Sequence, residues 1–215
     1  MTTSMTTVTP DVASAIVAEL GGSNAQSVEM MIGIGLVKDS EAVYFQYLGE
    51  ERAPAALTMP SGKPCTRMAN ITLAGISIAD GIGAENATKL NLIVETSAGR
   101  RLLLTSGIQT WWTQCLIQGL MGLFNSYNLD EAFTLDSYKG KSGRRPVFCS
   151  VRQAGAVVKD QMMYDQLGQL RSDRAMDKFE AAVRDSVEIL NQAVTGGTVD
   201  EAIVTVDEPV KEGDF

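Results

Sequence analysis

Between residues 42 and 158 apolar positions mostly alternate with polar ones, the two-residue rhythm of strands with one buried face. Val43, Phe45 and Tyr47 alternate against Tyr44, Gln46 and Leu48. Farther on, Ile71 and Leu73 share one parity and Ile76 and Ile78 the other, with Gly75 at the change. One extra residue at a glycine predicts a β-bulge, which bends a strand. Leu90, Leu92 and Val94 alternate up to a Ser-Ala-Gly-Arg turn at 97–100, after which 101–105 returns, so a hairpin is predicted. Residues 132–138 and 146–152 predict two more strands, and Gln153-Ala154-Gly155 turns the chain into 156–159. The apolar run at 28–37 is ambiguous because its two glycines weaken a helix while its alternation is imperfect; it leans towards a strand.

Three stretches change to helical spacing. Near the start, Thr9-Pro10-Asp11 supplies an N-cap, a proline in the first turn and an acid, and Val12, Ile16, Val17 and Leu20 share a face up to Gly21-Gly22. Over 108–124 a broad stripe holds Ile108, Trp112, Cys115, Leu116, Gly119, Leu120 and Leu123. Over 159–194 Met163, Leu167, Leu170, Phe179, Val183, Val187, Leu190 and Val194 predict one long amphipathic helix, closed by Gly196-Gly197. The expectation is an α+β protein: a β-rich antiparallel sheet or partly open barrel of the oligonucleotide-binding kind, covered by the central helix, with a long C-terminal helix beside it. One domain is expected over 1–195 and an acidic tail over 196–215.

Composition narrows the chemistry. The 215 residues include no histidine, which removes imidazole-based triads and His-ligated metals, and no nucleophile, base or cofactor loop stands out; no catalysis, cofactor or metal is expected. The three cysteines, Cys65, Cys115 and Cys149, are far apart, so neither a zinc site nor a disulfide framework is expected. The chain starts with no signal-peptide pattern and has no apolar run of spanning length, which predicts a reduced, cytoplasmic setting away from membranes. The net charge is −8, and six of the acids fall in 196–215 against Lys211 alone, so most of the imbalance belongs to the tail.

Against that acidic background, 137–159 holds Lys139, Lys141, Arg144, Arg145, Arg152 and Lys159 and no acid. If Val147, Cys149 and Val151 face the core, then Phe148, Ser150 and Arg152 face outward; by the same parity Phe133 and Leu135 point in and Tyr138 points out. Aromatic rings among cations suit single-stranded nucleic acid, because cations follow phosphates and rings stack on bases. The competing reading is a solvated basic hairpin. Arg100 and Arg101 at the other hairpin tip, with Lys63 and Arg67, would extend the patch. One of Trp111 and Trp112 is expected in the core and the other at a surface for stacking. The alternating acids and bases of the last helix, Arg171 and Arg174 among them, read as a solvated face. Gly33-Ile34-Gly35 and Gly81-Ile82-Gly83 lack the third glycine of a dinucleotide loop.

The last ten residues, Val-Asp-Glu-Pro-Val-Lys-Glu-Gly-Asp-Phe, place acids before a terminal phenylalanine. In this tail and in its β-rich body the chain resembles bacterial and phage single-stranded DNA-binding proteins. The resemblance implies sequence-tolerant DNA binding in phage or plasmid replication or recombination. It also implies Asp214 and Phe215 as a docking tip for replication or recombination proteins, with Asp207, Glu208 and Glu212 as its acidic lead. A terminal carboxylate, an acid and a ring suit a basic pocket with an apolar floor, and such a tail can also compete with DNA for its own groove. Self-association into a homo-oligomer is expected as well. The alternative is an acidic interaction or assembly factor, such as a phage structural or inhibitory protein, that binds no nucleic acid.

Overall fold

A computed structural model describes residues 28–37, 40–48, 53–82, 86–141 and 146–196. The predicted N-terminal helix, Arg144, Arg145 and the tail residues Asp207, Glu208, Glu212, Asp214 and Phe215 lie outside the described residues. In chain order the strands are β1 (Met30–Ile34), β2 (Tyr44–Leu48), β3 (Ala53–Ala56), β4 (Arg67–Ile82), β5 (Ala87–Thr96) and β6 (Arg101–Gly107). Helix α1 (Trp111–Ser126) follows, then β7 (Phe133–Lys139), β8 (Val147–Gln153), β9 (Ala156–Val158), and helices α2 (Gln161–Ser172) and α3 (Met176–Thr195).

The nine strands among the described residues join one open sheet in the order β3-β2-β1-β6-β5-β4-β7-β8-β9. Of the two expected forms, a sheet or a partly open barrel, the sheet is found, and one expectation is corrected: the sheet is mixed, because β1 runs parallel to β6, Ile32 opposite Leu104. The long strand β4 joins its halves: Arg67 to Ile71 pair with β7 and Ile71 to Ile82 with β5. The register shifts between Leu73 and Gly75, where the parity change predicts a bulge. A second irregularity, at Met68 to Ile71, contains Asn70 with a φ of 54°.

Bending brings β2 to β7, which stand far apart in strand order. Tyr44 of β2 and Ser137 of β7 meet through their hydroxyls at 2.7 Å, and the Trp112 indole N–H donates to the same Ser137 oxygen at 2.9 Å. Burial pushes the Tyr44 phenol far above its ordinary pKa, so it stays neutral and able to donate. Trp112 is thus the tryptophan of the core, its one polar atom satisfied.

Helix α1 begins three residues later than its periodicity suggests, because Thr110 caps it by accepting from the Thr113 N–H, which leaves Ile108 buried in the preceding turn. The helix is buried on most of its circumference and packs on the inward face of β8. Gly119 permits that approach: a Cβ there would lie 2.4 Å from Val151 Cγ2. One turn on, a Cβ at Gly122 would meet the backbone of Lys159 and Asp160 at 2.9 Å.

The predicted continuous helix over 159–194 is two helices. Ala175 N–H bonds the Leu170 carbonyl and Arg174 N–H the Arg171 carbonyl, a Schellman ending with Arg174 in the left-handed region at a φ of 58°. The break leaves α2 and α3 free to pack on different parts of the core, α3 against β4 and both against α1. The predicted stripe holds on both: Leu167, Phe179, Val183, Val187 and Leu190 are buried, and Met163, Leu170 and Val194 pack against them. Among the described residues no helix is long and apolar enough to cross a membrane.

Candidate nucleic-acid interface

The two strands β7 and β8 show the predicted parity. Phe133, Leu135, Val147, Cys149 and Val151 are buried, whereas Tyr138 is half exposed and Phe148, Ser150 and Arg152 are partly exposed. Tyr138 and Phe148 are register partners, and their rings stack with centroids 5.9 Å apart and planes 24° from parallel. β9 pairs only with Val151 to Gln153, so Phe148 lies on a stretch of β8 paired through β7 alone. There the Trp111 ring, from the first turn of α1, packs on Phe148 at 5.6 Å. The result is a strip of three rings, Tyr138, Phe148 and Trp111, with the two outer ones 50% and 41% exposed.

Arg171 fixes the far end. Its guanidinium lies 4.3 Å from the Trp111 ring centre and 4.5 Å from that of Phe179, between the two rings. The Nε donates to Gln114 Oε1 at 2.6 Å, and Nη2 donates to the carbonyls of Gln109 and Thr110. Half-burial lowers the Arg171 pKa from its ordinary value without threatening its charge. Cys115, one turn after Trp111, lies within electrostatic reach of both Arg171 and Lys159, although burial still pushes its thiol up. Burial also raises Cys65 and Cys149, the wrong direction for a thiolate nucleophile at neutral pH.

The sequence-chosen cations divide. Lys159 stands over the Tyr164 ring, 3.2 Å from its centre. Lys141 is exposed just beyond β7. Arg152 shares the outward face with Phe148 and pairs with Asp136 at 3.0 Å. Lys139 does not join the rings: it has the opposite parity to Tyr138, its side chain is 12% exposed, and its ammonium engages Glu41 and the Ser40 carbonyl. Arg100 and Arg101 also stand apart. They lie at the end of β6 away from Trp111, roughly 20 Å along the strand, and pair with Glu29 at 2.6 Å and Glu95 at 3.3 Å.

Two residues of the strip escaped the sequence reading in part. Trp111 is left off the apolar stripe that takes in Trp112, but spacing says nothing of its place against Phe148, and Arg171 sits in a run of alternating charges. The signal available for Arg171 was its place one residue after Leu170 on the apolar stripe. Among the described residues no group of three or more cysteine or carboxylate side chains is arranged to hold a metal ion. In comparisons with known proteins, no family model, no curated protein and no solved structure matches the chain.

Proposed function

We propose that this chain binds single-stranded DNA without sequence preference and performs no catalysis. The observation that carries the reading is the outward strip of Tyr138, Phe148 and Trp111, with Arg171 on the Trp111 ring, Lys141 exposed just beyond β7 and Arg152 farther along the outward face of β8. Bases of any identity have faces that stack on such rings, and cations beside them follow the phosphates. Arg144 and Arg145 belong to the same connection between β7 and β8 and would add charge to it. The acidic tail, ending in Asp214 and Phe215, is proposed to recruit replication or recombination proteins and to compete with DNA for the strip. A homo-oligomer is part of the same proposal.

The test is fluorescence anisotropy of a labelled oligo-dT at low and then moderate salt. Wild type should bind in a salt-sensitive manner, and Phe148→Ala or Trp111→Ala should each weaken binding by about fivefold to 150-fold, as loss of roughly 1–3 kcal/mol of stacking implies. Removing residues 206–215 should tighten binding if the tail competes. Absence of binding by the wild type at low salt would overturn the reading in favour of a protein-interaction factor.

A further inference from the structure

The end of the β7–β8 face away from the rings carries a second arrangement. Arg67 of β4 is the register partner of Asp136 on β7, while Arg152 of β8 faces outward two side-chain steps along from Phe148. One carboxylate serves both arginines: Asp136 Oδ1 is 3.4 Å from Arg67 Nε and Oδ2 is 3.0 Å from Arg152 Nε. The carboxylate lies deepest, with a side chain 26% exposed against 62% for Arg67 and 39% for Arg152. Together with Asn70, Thr134 and Gly155 these three residues line a depression in the sheet surface. Among the described lining residues Asp136 is the single acid, and two cations against one anion leave a net positive charge.

Geometry matters as much as charge here. Asp136 accepts a hydrogen bond from the Arg152 Nε–H at 3.0 Å and faces the Arg67 Nε in an ion pair at 3.4 Å. Arg152 Nη1 makes one long contact, 3.5 Å to the Gly155 carbonyl, and Arg67 makes no other ion pair among the described residues. Two guanidinium groups lining one depression suit a tetrahedral oxyanion, which takes paired N–H donors from arginine better than from lysine. The spacing from Arg152 to Phe148 is four residues of one strand, about 13 Å, a distance that a short stretch of nucleic-acid backbone spans.

We propose that Arg67 and Arg152 form a subsite for one backbone phosphate of the strand whose bases stack on Phe148 and Tyr138. Asp136 is its positioning residue. The identity of the ligand rests on the nucleic-acid reading above; the anion site itself rests on the arginine pair. The role of Asp136 runs against simple electrostatics, because removing an acid beside an anion site ought to strengthen binding, whereas releasing the two guanidinium groups weakens it.

The experiment titrates inorganic pyrophosphate, a probe with no base to stack, into the full chain at low salt while following the arginine Nε–H signals by NMR. Binding of dT12 over a range of salt is measured in parallel. Expected are saturable shifts at Arg67 and Arg152, lost in Arg67→Gln and Arg152→Gln, and a pyrophosphate affinity lowered about threefold or more in Asp136→Asn. Each arginine variant should also lower the salt slope of dT12 binding by about 0.7. Tighter pyrophosphate binding in Asp136→Asn would overturn the positioning role. Absent shifts in the wild type, or unchanged salt slopes in both arginine variants, would overturn the subsite while dT12 binding lost in Phe148→Ala still upheld the ring strip. Pyrophosphate shifts with no dT12 binding would instead overturn the nucleic-acid ligand and leave an anion site. Thermal melts of the variants, expected to match wild type, separate these outcomes from misfolding.

Discussion

Two antiparallel hairpins of the same sheet carry arginines and use them in opposite ways. In β5–β6 each arginine has a carboxylate to itself, Arg100 with Glu29 and Arg101 with Glu95. In β7–β8 and its neighbour β4, Arg67 and Arg152 share Asp136, and the positions beyond it are aromatic. One-to-one pairs at a surface are closed units, screened and worth little. A shared carboxylate leaves net charge and unused donors, and rings at the next outward positions give a ligand something to lie on. Counting cations along the chain does not distinguish the hairpins; their partners do.

The support beneath them differs as well. The β7–β8 face is backed by α1, pressed close at Gly119, and its outermost ring is held by Arg171. The largest effect on the contrast is therefore expected from Gly119→Ala. Its added methyl collides with Val151 and forces α1 away from β8, at about 1–3 kcal/mol. The melting temperature should drop by several degrees and oligo-dT affinity should fall with it. Gly168→Ala in α2 is the matched control: nothing lies within 4 Å of the new Cβ, and helix propensity should raise stability by up to about 1 kcal/mol. Equal melting shifts in the two variants would dispose of the close-approach explanation.

Next in size is Arg171→Gln. Losing a cation between two rings removes about 1 kcal/mol, so oligo-dT binding should weaken roughly fivefold and Trp111 fluorescence should change in the free protein. Retained binding with an altered emission spectrum would mean that Trp111 need not be fixed in order to stack. Smaller still is the double change Arg100→Gln with Arg101→Gln. Both arginines are neutralised in place, so affinity should stay within about twofold and stability within about 1 kcal/mol. A tenfold loss of affinity would erase the distinction between the hairpins.

The smallest effect concerns the anchor of α3 on β4, common to both. Arg184 holds the Asp80 carboxyl below the usual carboxylate range, chiefly by hydrogen bonds such as Nη1 to Oδ2 at 3.0 Å, with Thr88 adding another. A carboxyl depressed in the folded state contributes stability that is complete above its unfolded pKa, about 3.9, and is lost as pH falls through the lower folded value. The pair is exposed, so the contribution stays under about 1 kcal/mol. Arg184→Gln should flatten the acid limb of stability against pH by that amount, and an unchanged limb would remove Asp80 from the account.

Alternation along the chain was enough to orient β7 and β8 and to place the bulge at Gly75, because the side chains of a strand point to alternate faces whatever the strand pairs with. Helical spacing likewise marked α1 and both halves of the C-terminal stripe. The break at Arg174 carried no glycine or proline, so local preference could not locate it; packing of α2 and α3 on different surfaces holds an arginine in a left-handed conformation there. Nor does any local rule pair β1 in parallel with β6, bring Tyr44 to Ser137 across 93 residues, or set Trp111 against Phe148. Residue types and their period decide which side of an element is buried. Which arginine meets which carboxylate depends on how distant strands come together, and that is a property of the folded sheet.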